Sequence, residues 1–143
     1  MDQIQNAKIF ITGGAGFIGS VLIGRLIERN KVTAFDNFSR DALSGRSYAR
    51  HPNLTVVKGD VMDPEGMIPH MLGADYVIHC AGIAGINTVG KSPTSTLNVN
   101  IIGSGNVLEA VRRHVPACKR VVLFSTSEVF GNIAFTSRET DCS

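Results

Sequence analysis

The segment ITGGAGFIGS, Ile11 to Ser20, holds four glycines in ten residues and lies between two apolar stretches. Glycine loses more backbone freedom on ordering than any other residue, so such a cluster implies that something approaches the main chain closely. Gly13, Gly16 and Gly19 recur at intervals of three, after an apolar run and at the start of a helical pattern. A G-x-x-G-x-x-G turn in that position suits a dinucleotide. The first glycine permits the tight turn, the second admits a pyrophosphate, and the third lets the helix pack on the strand. The helix N-terminus adds unpaired N–H groups and the positive end of its dipole. The competing reading is a glycine-rich turn that opens a helix and holds no ligand. No Gly-Lys-Ser/Thr follows, which excludes a Walker-type loop.

Around this turn, short apolar runs alternate with helical patterns. Strands are expected at Ala7–Thr12, Lys31–Asp36, Leu54–Asp60, Asp75–Gly82 and Lys119–Ser127. Phe17, Ile18, Val21, Leu22, Leu26 and Ile27 recur at helical spacing, Asp63-Pro64-Glu65 opens a short helix, and a longer helix is expected from about Thr94 to His114. The polar stretch 37–53, the glycine-containing segment up to Pro93 and the residues after Ser127 read as loops. Continuous apolar strands alternating with helices predict an α/β fold, a Rossmann-type doubly wound parallel sheet of about five strands in three α/β/α layers. Residues 1–143 form one domain in this reading, with no internal linker or repeat.

Asp36 ends the second strand, where an acidic side chain accepts hydrogen bonds from a ribose and repels a 2′-phosphate. NAD is therefore favoured over NADP. Arg40 nearby argues the other way, or lies along the adenine, or is a solvated loop residue, and Asp36 itself could be a turn former before Asn37.

Composition excludes several classes. The formal net charge is +2 and no basic run exceeds two residues, so nucleic acid is not a partner. Cys80, Cys118 and Cys142 are scattered and form no CxxC pair, which fits free thiols in a reducing compartment. No apolar run spans a bilayer and no signal-peptide core precedes the first strand, so a cytoplasmic location without membrane contact is expected. The four histidines share no metal-ligand spacing, so no metal is expected, and His79 reads as a satisfied core residue.

TGGAGFIGS and DNFSR (Asp36 to Arg40), then GDVMD, HCAGI, NVNIIGSGNVLEAVRR and FSTSEVFG resemble, in order, the motifs of the extended short-chain dehydrogenase/reductases, the NAD-dependent sugar-nucleotide epimerases, dehydratases and decarboxylases. The resemblance covers essentially the whole chain. It implies NAD as cofactor, with Gly13, Gly16, Phe17, Ile18 and Gly19 in the first motif and Asp36, Asn37, Ser39 and Arg40 in the second. It also implies that Asp60 and Val61 hold the adenine, that Ala81 and Gly82 line the pyrophosphate and inner ribose, that Asn100 orders the backbone beneath the cofactor, and that Phe124 and Ser125 lie beside the nicotinamide. Read without it, Asp60 could cap a turn and Asn100 could face solvent in mid-helix.

The same resemblance implies hydride transfer from a sugar carbon to NAD, with Thr126 at the family's Ser/Thr position and Glu128 at a carboxylate used by dehydratase- and decarboxylase-like members. Two apart at a strand end, Thr126 and Glu128 point to one side, although polar strand-end residues and a solvated glutamate are the plain alternative. The family's Tyr-x-x-x-Lys pair is absent, because Tyr48 is followed four residues on by Pro52 and Tyr76 by Cys80. The expectation is thus the cofactor-binding part of a nucleotide-sugar enzyme whose parent is a homodimer. This part is inactive alone, and an apolar patch beyond its fifth strand makes it marginally stable or self-associating. The alternative is a non-catalytic dinucleotide-binding sensor or subunit.

Overall fold

A computed structural model describes residues 4–126. Five parallel strands form one sheet in the order β3-β2-β1-β4-β5. They are β1 (Lys8–Thr12), β2 (Lys31–Asp36), β3 (Leu54–Lys58), β4 (Tyr76–His79) and β5 (Arg120–Leu123). Between them run α1 (Phe17–Leu26), α2 (Pro64–Met71), α3 (Ile86–Lys91), α4 (Pro93–Leu97) and α5 (Ser104–His114), with a π-helical stretch, Asn98–Gly103, joining α4 to α5.

Alternation along β1 divides the core. Ile9 and Ile11 face one side, where they meet Ile23 and Ile27 around α1, together with Val32, Ala34 and Ile78. Phe10 faces the other side, with Phe35, Val77, Met67 and Met71 of α2, and Val107 and Val111 of α5. Covered on both faces, β1 reads as an unbroken apolar run. Burying each such side chain contributes roughly 1.5–3 kcal/mol, so the centre of the sheet carries most of the packing energy.

The edge strands differ from the sequence expectation of strands covered on both faces. Val56 in β3 and Val122 and Leu123 in β5 are exposed, because the described helices pack mainly on β2 and β4 rather than on the edge strands. Phe124, within the span expected for the fifth strand, is 46% exposed. All three later strands are shorter than expected: β3 stops at Lys58, β4 at His79 and β5 at Leu123. The long helix begins at Pro93 and is interrupted by the π-helical stretch, and part of the segment expected as loop before it forms α3.

Start signals act locally as expected at α2. Asp63 accepts a hydrogen bond from the Gly66 amide (3.1 Å), and Pro64 sits in the first turn, where no N–H is needed. The polar stretch 37–53 has no helix or strand but is tied down. The Ala42 amide donates to the Ala15 carbonyl (2.7 Å), Leu43 is buried, and the Tyr48 hydroxyl donates to the Ser20 carbonyl (2.5 Å).

Candidate dinucleotide cleft

The carboxyl ends of β1, β2 and β4 open into a cleft of about 560 Å³, the position where open α/β sheets take ligands. The glycine turn forms its floor, and its glycines have different causes. Gly13 has φ +67°, and a Cβ there would lie 2.5 Å from the Ala81 amide nitrogen, so both conformation and packing require glycine. A Cβ at Gly19 would press on the Gly13 carbonyl and lie 2.7 Å from Gly14 Cα. Gly16 is different. Its φ is −71°, and a Cβ would meet only the Gly13 carbonyl oxygen, at 3.1 Å. That one backbone oxygen is the whole of the packing constraint here, and otherwise the position opens onto the cleft.

Gly16 is the N-cap of α1, and no side chain caps it. The first intrahelical bond runs from Ser20 N to the Gly16 carbonyl (2.9 Å). The amides of Phe17, Ile18 and Gly19, all in the cleft wall, therefore lie in the first turn, where an α-helix has no internal acceptors. The helix dipole adds a positive field there. A cradle of main chain that a side chain would fill, at a helix N-terminus, fits a pyrophosphate.

Beside it, one Asp36 carboxylate oxygen accepts from the Ala15 amide (2.9 Å) and the other from the Phe38 amide (2.8 Å). Asp36 thus pins the glycine turn to the end of β2 and also shapes the turn after it. A carboxylate has about four acceptor positions, so it retains capacity for ribose hydroxyls. Asp60 likewise has two tasks. One oxygen accepts from the Met62 amide (2.9 Å), the turn-capping alternative, and the other from the Asn37 amide group (3.2 Å). Val61 is buried beside it, and Gly59 completes this wall.

On the β4 side the walls are Cys80, Ala81, Gly82, Ile83 and Ala84. Asn100, on the π-helical stretch, clamps this loop with a reciprocal pair: its side-chain oxygen accepts from the Ile83 amide (2.8 Å) and its amide group donates to the Ile83 carbonyl (3.0 Å). It shapes the cleft through Ile83 and is not itself in the wall. π-Helical turns often occur at functional sites; here one presents Asn100 to Ile83. Burial pushes the Cys80 thiol up to about 12, so it presents no thiolate to the cleft.

His79 bridges the layers. Its Nδ1 lies 2.6 Å from the Thr12 hydroxyl and its Nε2 2.9 Å from the Ser104 hydroxyl, which donates to the Asn100 carbonyl (2.6 Å). With the Ser104 proton so directed, Nε2–H donates to Ser104 and Nδ1 accepts from Thr12, a pattern met by neutral imidazole. Burial lowers the His79 pKa, in keeping with that state. His79 is the satisfied core residue that the sequence suggested.

Of the residues predicted for the site, Gly13, Gly16, Phe17, Ile18, Gly19, Asp36, Asn37, Ser39, Arg40, Asp60, Val61, Ala81 and Gly82 are brought together around this cleft. Phe124 and Ser125 follow β5, exposed and off its walls; Thr126 is also exposed there, and Glu128 lies outside the described residues. The sequence reading missed Ala15, Ile83, Ala84 and Thr88. Ala15 had a signal, since the residue between turn glycines must direct its amide somewhere. Thr88 had none, because it joins the cleft only through the fold. Among the described residues no helix is long and apolar enough to cross a membrane.

Comparison with known proteins agrees with this geometry. The chain is 35% identical over 133 residues to UDP-glucuronic acid decarboxylase 5 of Arabidopsis thaliana, covering 90% of this chain and 36% of that protein. Thus it spans about a third of the length of that relative. Its fold matches the UDP-N-acetylglucosamine 4-epimerase of Methanobrevibacter ruminantium, solved with UDP-N-acetylmuramic acid, at TM-score 0.85 and 31% identity, over 97% of this chain and 44% of that one. It also matches UDP-glucose-4-epimerase from Stenotrophomonas maltophila, solved with NAD and formylated UDP-arabinopyranose, at TM-score 0.73 and 25% identity, over 89% and 39%. The NAD dependent epimerase/dehydratase family matches residues 9–143. With a five-stranded Rossmann sheet and a glycine cradle at its β1–α1 junction, the chain belongs to the NAD dependent epimerase/dehydratase family.

Proposed function

We propose that residues 1–143 are the NAD-binding Rossmann domain of an enzyme that modifies a nucleotide sugar, an epimerase, decarboxylase or dehydratase. The observation that carries this reading is Gly16, whose φ of −71° needs no glycine and whose added Cβ would meet one protein atom, the Gly13 carbonyl oxygen at 3.1 Å, at an uncapped helix N-terminus facing a cleft. The amides of Phe17, Ile18 and Gly19 hold the pyrophosphate, Asp36 the adenosine ribose, and Asp60 with Val61 the adenine. Ala81 and Gly82, on the loop that Asn100 holds, support the inner ribose. When bound, NAD supplies a transient hydride acceptor. Thr126 would share the hydrogen bond to the reacting sugar hydroxyl, and Glu128 would act as an acid or base, which favours decarboxylase or dehydratase chemistry. Phe124 and Ser125 would flank the nicotinamide.

No Tyr-x-x-x-Lys pair occurs among the 143 residues, so this chain alone should bind NAD without turning over a nucleotide sugar. NAD-dependent turnover by the purified chain would overturn that. Exposed Leu97, Ile101 and Leu108 along the α4–α5 helix suit a homodimer of the parent enzyme, which light scattering tests. Calorimetric titration with NAD tests the cofactor itself, with a Gly16→Asp variant beside it. The added carboxylate would occupy the cradle and repel phosphate, so binding should be lost while the fold persists. Equal heat from both proteins would remove the cofactor reading.

A further inference from the structure

Arg40 does something that neither its charge nor its place after β2 explains. Two N–H groups of one terminal guanidinium nitrogen donate across the cleft, to the Ala84 carbonyl (3.2 Å) and the Thr88 hydroxyl (3.2 Å). Arg40 belongs to the loop after β2, Ala84 to the loop after β4, and Thr88 to α3. Since β1 lies between β2 and β4 in the sheet, the bridge crosses the carboxyl end of β1, where the glycine turn lies. Arg40, Ala84 and Thr88 all line the cleft.

On the reading that the cleft holds a dinucleotide, we propose that Arg40 is a latch, a residue that holds the two lips of the cleft together and slows release of the bound cofactor. Both acceptors are neutral oxygens, so the guanidinium keeps its full charge above a floor suited to pyrophosphate. Its planar fork presents two donors at fixed angles and loses little freedom in making both bonds. Each lip is itself anchored. The β2 side is held by Asp36 to the Ala15 and Phe38 amides, and the β4 side by Asn100 to Ile83. A bond between two anchored lips restrains the opening between them, whereas a bond between mobile loops would move with them. Arg40 is thus a positioning residue, distinct from a group that simply attracts the ligand's phosphates.

The test is the rate of NADH release. The chain has no tryptophan, so NADH fluorescence can be followed directly in stopped flow after chasing with excess NAD. Arg40→Met should speed release ~10-fold and Thr88→Val ~3-fold, as expected for losing both or one of two charge-assisted bonds at an exposed site. The double variant should be no faster than Arg40→Met alone, because both changes remove the same bridge. Faster release from Arg40→Met with wild-type release from Thr88→Val would overturn the latch, showing that Arg40 acts on the ligand by charge. Unchanged release from both variants would overturn it too, while leaving NADH binding intact. Absence of NADH binding by the unaltered chain would overturn the cofactor reading and, with it, the latch.

Discussion

The centre of the sheet and its β5 edge are built on different principles. Around β1 the backbone itself is the tight component: Gly13 fits against the Ala81 amide, Gly19 against Gly13, and Ile9, Phe10 and Ile11 are buried on both faces. Toward β5, side chains of the same apolar kind stay half in water, as Val122, Leu123 and Phe124 do. The glycine turn is fixed from several directions before any ligand arrives. The loop after β4 depends on a few side-chain bonds, from Asn100, Thr12 and Arg40. The glycine turn is thus held mainly by main-chain contacts, and the loop after β4 mainly by side-chain bonds.

The sharpest way to break this comparison is at the turn. Gly13→Ala must force a left-handed residue and move the Ala81 backbone, and should cost about 3 kcal/mol or more in chemical denaturation. Gly16→Ala, by contrast, should change stability by less than about 1 kcal/mol and show its effect in NAD titration. If both variants unfold alike, the separation of a fold glycine from a ligand glycine is wrong. Next in size, Ile11→Ala should cost about 2–5 kcal/mol, whereas Leu123→Ala, at the exposed edge, should cost no more than about 1 kcal/mol. Equal losses would mean that β5 is as well packed as β1.

A smaller effect concerns His79, which joins the two regions. Replacing it with Leu removes the acceptor of the Thr12 hydroxyl and the donor to Ser104, at about 1–3 kcal/mol. Its pKa is lowered by burial from an ordinary 6.5. The unfolded chain therefore binds a proton there that the folded chain refuses. Stability is full above about pH 6.5 and falls as pH drops through the window between that value and the lowered folded one. His79→Leu should flatten this slope in denaturant midpoints taken across that window, and an unchanged slope would reassign it. Smallest in stability is Asn100→Ala, at under about 1 kcal/mol. Because the loop at Ile83 loses both clamps, NAD affinity should still weaken several-fold, and an unchanged titration would deny Asn100 its part in shaping the cleft.

Much of the fold was legible in short-range patterns. The glycine spacing, the Asp63-Pro64 start and the strand–helix alternation each reflect forces acting within a few residues, and each appears where expected. Asp36 and Asp60 were legible as acids at strand ends, yet their double roles were not. Asp36 holds Ala15, and Asp60 holds both Met62 and Asn37. Asn30 is clearer still: its buried carbonyl takes the Ala7 amide from 23 positions away, a bond that no local pattern announces. The edge strands misled because apolarity along a strand reports what could be buried, whereas exposure depends on which helices cross over it.

By itself the sequence determined a parallel α/β sheet with a glycine turn at its first β–α junction, because turn conformation and side-chain periodicity are written in neighbouring residues. The tertiary structure decided which glycine serves packing and which faces the cleft, that Asn100 clamps Ile83, and that Arg40 reaches Thr88. Those outcomes depend on distances between residues far apart in the chain, and only the paired sheet brings them within hydrogen-bond range.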